Sequence, residues 1–200
     1  VHLRDGKERR MYMLYLASAS PRRREILQMA GERFEVVPSH GDESRPPELS
    51  PGELVQELAR RKAFAAEVSP GPGDIVLGAD TLVALDGRLL GKPSSEGEAF
   101  SMLSALSGRV HRVYTGCCLR TAGRSETFVS EAEVEFYPLT EEELRAYIAT
   151  GEPMDKAGAY GIQGRGCVLV RGIRGDYYTV MGLPAAEVIR RLRKLEQAEE

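Results

Sequence analysis

The apolar run from Met11 to Ala17 breaks off at Ser18-Ala19-Ser20-Pro21 and meets three arginines, Arg22-Arg23-Arg24. This junction limits the possible folds more than any other stretch. A short apolar run bounded by turn residues reads as a buried strand, here Leu14–Ala17. Ser20 suits an N-cap and Pro21 the first helical position, so a helix is expected over Pro21–Ala30, ended by Gly31. A helix N-terminus presents free backbone N–H groups and a positive dipole end, which together favour an anion. Arg22 and Arg23 would add charge-assisted hydrogen bonds there. The plain alternative is a solvated basic helix start.

Further along, Phe34–Pro38 reads as a second strand. Ser50-Pro51-Gly52-Glu53 is a capping box with Pro at N1, opening a helix to about Val68. Asp74–Ala79 is an apolar run that the sequence expects to stop at Asp80, in the manner of a central strand ending at a site. Leu82–Leu85 and Arg88–Leu90 flank Asp86-Gly87 as a tight hairpin. Ser95–Glu98 opens a helix through Leu106. Val110–Thr121 and Glu126–Phe136 form a second hairpin turning at Ala122-Gly123. Thr140–Glu143 caps a helix to Ala149, Cys167–Ile173 reads as a strand, and Pro184 to about Glu196 as an amphipathic helix. Interspersed helices and strands imply an α/β or mixed α+β fold around one twisted sheet. Residues 1–12 are expected to be a tail and 13–200 a single domain.

Charge narrows the partners. The net charge is −3, so any anionic ligand must be held by local cations, which argues against a nucleic-acid coat protein. No apolar run approaches the roughly 20 residues of a membrane span. The basic leader before Met11–Ala19 imitates a secretory signal, but Pro21 and the arginines follow at once. The three cysteines, Cys117, Cys118 and Cys167, form no C-x-x-C pair. They read as reduced thiols of a cytoplasmic protein.

Several residues carry chemistry. Asp80 can hold a divalent metal or accept a proton from water, or it can simply cap a turn. Thr81 beside it can donate or accept a hydrogen bond. Lys92, fixed between Gly91 and Pro93, is a point charge suited to phosphate or a solvated lysine. Gly87-x-x-x-Gly91-Lys92-Pro93 lacks the spacing and the Ser/Thr of a P-loop. Asp42 and Glu43 are adjacent loop acids, either metal ligands or solubilising charge. Lys62 is a second phosphate contact or surface charge. Gly158, Gly161 and Gly164 interrupt regular structure around Gln163, whose amide suits a nucleobase edge. His2, His40 and His111 show no zinc-ligand spacing, and no serine-hydrolase elbow is present.

Taken together, Leu16-Ala17-Ser18-Ala19-Ser20-Pro21-Arg22-Arg23, Leu58-Ala59-Arg60-Arg61-Lys62-Ala63, Gly78-Ala79-Asp80-Thr81, Gly91-Lys92-Pro93, Leu106-Ser107-Gly108-Arg109, Gly151-Glu152-Pro153-Met154-Asp155-Lys156-Ala157-Gly158 and Gly182-Leu183-Pro184 occur in a specific order. On these motifs the chain, from about Leu14 to Leu192, resembles the Maf proteins, a family of nucleoside triphosphate pyrophosphatases once described as septum-formation inhibitors. The resemblance implies an elongated α/β fold similar to inosine triphosphatases, with a cleft between two lobes, and hydrolysis to monophosphate and pyrophosphate with Mg²⁺ or Mn²⁺. It places the family's proton acceptor on Asp80 and its other functional positions on Ser18, Arg23, Glu43, Lys62 and Lys92. Glu43 and Asp80 are the implied metal ligands. Arg22, Thr81 and Gln163 match the dTTP/UTP branch and depart from the 7-methyl-GTP branch. Gly41 stands where many members have an apolar residue. Family members are often homodimers, though no interface patch is legible in the sequence. The competing class is a nucleotide-binding regulator of division without turnover. A carboxylate beside phosphates disfavours it, since like charges repel.

Overall fold

The computed structural model describes residues 12–46 and 48–197. Apart from Tyr12, the expected tail lies outside them. Seven strands form one sheet in the order β2-β1-β3-β5-β6-β7, with β4 pairing β3. They are β1 (Leu14–Ala17), β2 (Glu35–Val36), β3 (Ile75–Leu85), β4 (Arg88–Leu90), β5 (Val110–Arg120), β6 (Ser125–Phe136) and β7 (Val170–Gly175). The helices are α1 (Pro21–Met29), α2 (Pro51–Phe64), α3 (Glu96–Leu106), α4 (Glu141–Ile148), α5 (Tyr177–Met181) and α6 (Ala185–Gln197). β1 runs parallel to β2 and β3, and the remaining pairs are antiparallel. This is the mixed α/β fold expected.

Successive residues of β3 face opposite sides, as a pleated strand requires. Leu77, Ala79 and Val83 enter the main core with Leu14, Leu16, Ile26, Leu103, Phe136 and Leu192. On the other face, Val76 packs with Ala59 and Ala63 of α2, and Leu82 with Leu54 and Leu58. Helix α2 lies unusually close to the sheet. A Cβ on Gly78 would fall 2.3 Å from the Ala59 carbonyl oxygen, and one on Gly116 2.3 Å from that of Val55. Glycine at these two points lets backbone approach backbone.

Local signals explain the helix starts. Both capping boxes, Ser50/Glu53 and Thr140/Glu143, form. At α3 the Ser95 hydroxyl accepts from the Glu98 N–H, but the Glu98 carboxylate turns to Ser94 instead. The β3–β4 turn has positive φ at Asp86 and Gly87, the primed-turn geometry that Asp-Gly favours.

Other expectations are corrected. Strand β3 does not stop at Asp80. It continues to Leu85 because β5 pairs with it from Val76↔Arg120 to Ala84↔Arg112. The strand over Phe34–Pro38 shrinks to Glu35–Val36, α2 ends at Phe64 rather than Val68, and β7 begins at Val170. Cys167 falls in a 3₁₀ turn, Arg165–Leu169. Helix α5, capped by Asp176, was not anticipated.

Candidate active site

Asp80 and Thr81 occupy a notch in the sheet. On one edge of β3, β1 pairs with residues 75–78 and β4 with residues 83–85. Between them residues 79–82 have no strand partner on that edge among the described residues. Side-chain alternation then sends Asp80 toward α2 and Thr81 toward α1 and α5, yet both border the same opening. A cavity of about 760 Å³ lies there. Its lining includes Ser18, Arg22, Arg23, Glu43, Lys62, Asp80, Thr81, Lys92 and Gln163, all singled out from the sequence, but not Asp42.

On the α2 side, Lys62 Nζ donates to Asp80 Oδ1 at 2.5 Å and lies 3.3 Å from Glu43 Oε1. Lys62 reaches Asp80 because Ala59 and Ala63 ride directly on Gly78. The loop bearing Glu43 is fastened beside it. Arg61 Nη1 donates to Asp42 Oδ2 (3.1 Å) and to the Ser44 carbonyl (3.1 Å). A Cβ on Gly41 would meet the Arg61 carbonyl carbon and the Lys62 nitrogen at 3.0 Å, so the glycine permits this close approach. The two adjacent acids therefore part. Asp42 serves as an anchor for Arg61 and is absent from the cavity lining, whereas Glu43 enters it.

On the opposite side, Arg23 is buried at 8% exposure. Its Nε donates to the Gly182 carbonyl (2.8 Å), Nη1 to Ser18 Oγ (3.0 Å) and Nη2 to Thr81 Oγ1 (3.2 Å). Burial lowers its pKa from the ordinary arginine value, and the charge of Asp80 opposes that shift. The Ser20 side chain makes no cap bond. Instead the Ser20 N–H donates to Ser18 Oγ at 3.2 Å. The hydroxyl that serves the α1 start is thus Ser18, not Ser20.

Lys92 and Gln163 are exposed at the cavity margin. The Lys92 loop is tied down by the Gly158 N–H donating to the Gly91 carbonyl (3.0 Å). The Gln163 loop closes over Glu152, whose carboxylate accepts from Arg165 N (2.9 Å), Gly166 N (3.0 Å) and Tyr147 Oη (2.9 Å). Gly158 and Gly164 have positive φ, as their position among 3₁₀ turns requires.

Sequence reasoning gave no role to Glu152, Arg61, Thr115 or Gly182, which hold these groups in place. A polar residue within the buried stretch of β5 was the one local signal for Thr115. Gly182 stood within a quoted motif but without a role.

Three carboxylates (Glu43, Asp80 and Asp155), three lysines (Lys62, Lys92 and Lys156), Arg22 and the buried Arg23 border one opening. The sequence model for "Maf-like protein" matches residues 13–195.

The chain belongs to the Maf-like protein family.

Curated relatives of this Maf-like chain include a "dTTP/UTP pyrophosphatase" of Bacillus cereus (strain ATCC 10987 / NRS 248), 49% identical over 195 residues, covering 97% of this chain and 95% of the relative. A second, from Bacillus thuringiensis subsp. konkukian (strain 97-27), carries the same name and is 49% identical over 185 residues, covering 92% and 96%. Among solved structures, the Staphylococcus aureus Ham1 protein aligns at 15% identity with a TM-score of 0.45, covering 77% of each chain. No helix among the described residues is long and apolar enough to cross a membrane.

Proposed function

We propose that this chain hydrolyses dTTP and UTP between the α- and β-phosphorus atoms, giving the nucleoside monophosphate and pyrophosphate. The observation that carries this reading is the convergence of Lys62, Glu43 and Asp80 at the sheet notch, opposite the buried Arg23. The names of the 49% identical relatives support the substrate class.

A nucleoside triphosphate entering the cavity brings several negative charges. Arg23, Lys92 and the N–H groups at the start of α1 offset them. Ser18 orients the first turn of α1 and the Arg23 fork together. Asp80 accepts the proton of the water that attacks the α-phosphorus, and pyrophosphate leaves. Lys62 holds that carboxylate in a fixed orientation. Positioning and electrostatics supply most of the acceleration in such displacements.

Glu43 and Asp80 fit a divalent cation such as Mg²⁺ or Mn²⁺. Their carboxylates already converge on one cationic group, the Lys62 ammonium, and oxygen donors of this kind suit hard cations. Among the described residues there is no cage of three or more His, Cys, Asp and Glu, so phosphate oxygens and water would complete the coordination. When bound, the cation neutralises phosphate charge.

Arg22, Thr81 and Gln163 set the base preference. The Gln163 amide, with a donor and an acceptor, pairs with the O4/N3–H face that uracil and thymine share. The free state of Cys117, Cys118 and Cys167 accords with action in the cytoplasm.

The test is a nucleotide panel with Mg²⁺ and with Mn²⁺, read as pyrophosphate. Release of pyrophosphate from dTTP and UTP ahead of dCTP and GTP is expected. Orthophosphate as the product would refute the bond assignment. Tight nucleotide binding without turnover would favour the non-catalytic regulator.

A further inference from the structure

The hydroxyl of Thr81 has one proton, and its neighbours dictate where that proton points. Thr81 lies directly across from Thr115 in the β3–β5 register, and their Oγ1 atoms are 3.0 Å apart. Thr115 is fully buried, and its Oγ1 lies 2.7 Å from the Thr179 carbonyl oxygen. A carbonyl can only accept, so the Thr115 proton is committed to Thr179. The 3.0 Å contact must therefore be donated by Thr81. Thr81 then turns a lone pair toward Arg23 and accepts from Nη2.

The chain of bonds closes on itself. Thr179 is in α5, where the Asp176 carboxylate accepts both its N–H and its hydroxyl at 2.8 Å. Gly182, the C-cap of the same helix, supplies the carbonyl that accepts from Arg23 Nε. Helix α5 thus fixes the guanidinium at one end directly and at the other through Thr115 and Thr81. Three of the five donors of Arg23 are used by Gly182, Ser18 and Thr81. The remaining two are held in a set direction for an anion.

We infer that Thr115 is a positioning residue, which aims Arg23 at the substrate phosphates by fixing the direction of the Thr81 hydrogen bond. The inference rests on the proposed function, in which Arg23 contacts phosphate. Without the Thr115 hydroxyl, the Thr81 proton has no acceptor on β5. It rotates toward Arg23, donor then faces donor, and the guanidinium is displaced. Thr81 thus spends its one proton on Thr115 and keeps a single lone pair with which to accept from a base.

The experiment compares Thr115→Val, Thr115→Ser, Thr81→Val and the Thr81→Val/Thr115→Val double variant of the full chain. Pyrophosphate release from UTP gives kcat and KM, and thermal unfolding checks the fold. Thr115→Val is expected to lower kcat/KM roughly 10-fold or more, the scale of one misdirected hydrogen bond to a charged group. Thr115→Ser, which keeps the hydroxyl, is expected to remain close to the unaltered protein. In the Thr81→Val background, adding Thr115→Val should cost nothing further, because the two act as one unit.

Losses that multiply in the double variant would overturn the inference, as would unaltered kcat/KM in Thr115→Val. If Thr115→Val does not fold, Thr115→Ala removes the same hydroxyl with less bulk and is read in its place. Failure of the underlying reading looks different: the unaltered protein would then release no pyrophosphate from UTP, or Arg23→Ala would keep full activity.

Discussion

The Lys62 ammonium and the Asp80 carboxylate meet at 2.5 Å, with side chains 19% and 15% exposed, at the one stretch of β3 whose outer edge lacks a paired strand among the described residues. The pair joins two faces of the structure. Lys62 comes from the helix packed on the sheet, and Asp80 from the strand beneath it. Their contact depends on the glycines that let α2 lie against β3 and β5.

Asp80→Asn keeps the size of the side chain and removes the proton acceptor. Turnover is expected to fall on the order of 10²–10⁴-fold, the usual contribution of a general base. Thermal unfolding should show a folded protein. Near-normal turnover would remove Asp80 from its assigned role.

Glu43 is 77% exposed, so losing it should cost little stability. Glu43→Gln is expected to raise the Mg²⁺ or Mn²⁺ concentration needed for half-maximal pyrophosphate release. An unchanged metal titration would count against its place as a ligand.

Lys92→Ala removes an exposed charge from the cavity margin. A drop of kcat/KM on the order of 10²-fold is expected, in the range of lost charge-assisted contacts to a transferring phosphoryl group. The difference between the variant and the unaltered protein should shrink as salt rises, because salt screens the exposed charge. Equal activity of the two proteins would discard the contact.

Gly78→Ala puts a Cβ 2.3 Å from the Ala59 carbonyl oxygen, with no flexible side chain in the way to yield. Overpacking of this kind costs about 1–3 kcal/mol. The same displacement of α2 should separate Lys62 from Asp80. Reduced denaturant stability together with reduced turnover is expected, and loss of neither would contradict the close helix–sheet packing.

His111 is buried on β5, its Nε2 2.7 Å from Tyr160 Oη and its Nδ1 without a hydrogen-bond partner among the described residues. Rings of Phe136 and Tyr160 pack edge-on against it. Burial lowers its pKa to about 4. The unfolded chain then binds a proton that the folded one refuses. This contribution to stability is full above the ordinary histidine value near 6.5 and is lost as pH falls toward about 4. It amounts to roughly 3 kcal/mol over that window. The difference in denaturant stability between the unaltered protein and His111→Gln should shrink over the same range. A difference independent of pH would show that His111 is not buried neutral.

Much of the helical framework was legible because its signals are local. Ser50-Pro51-Gly52-Glu53 and Thr140–Glu143 carry their own cap donors and acceptors, and both boxes form. Asp86-Gly87 specifies its turn by the φ values it tolerates. Nine of the cavity residues, Ser18, Arg22, Arg23, Glu43, Lys62, Asp80, Thr81, Lys92 and Gln163, were also legible, through the resemblance that the ordered motifs carry.

The arrangement of those residues was not. Asp80 looked like the end of a strand, because an aspartate after an apolar run normally terminates one. In the structure β5 carries β3 past it, and only the termination of β1 and the start of β4 leave its edge open. Residue type and loop position did not separate Asp42 from Glu43, and only the resemblance favoured Glu43; in the structure Arg61, brought near by α2, takes Asp42 and leaves Glu43 to the cavity. The bond direction at Thr81 depends on Thr115 and Thr179, far away in sequence. Thus the chain by itself determined most of the elements and which charged and polar side chains line the cavity, because caps, turns and charges act over a few residues. Register, edge exposure and the orientation of each hydrogen bond were decided only by the tertiary structure, because each is fixed by partners from distant segments.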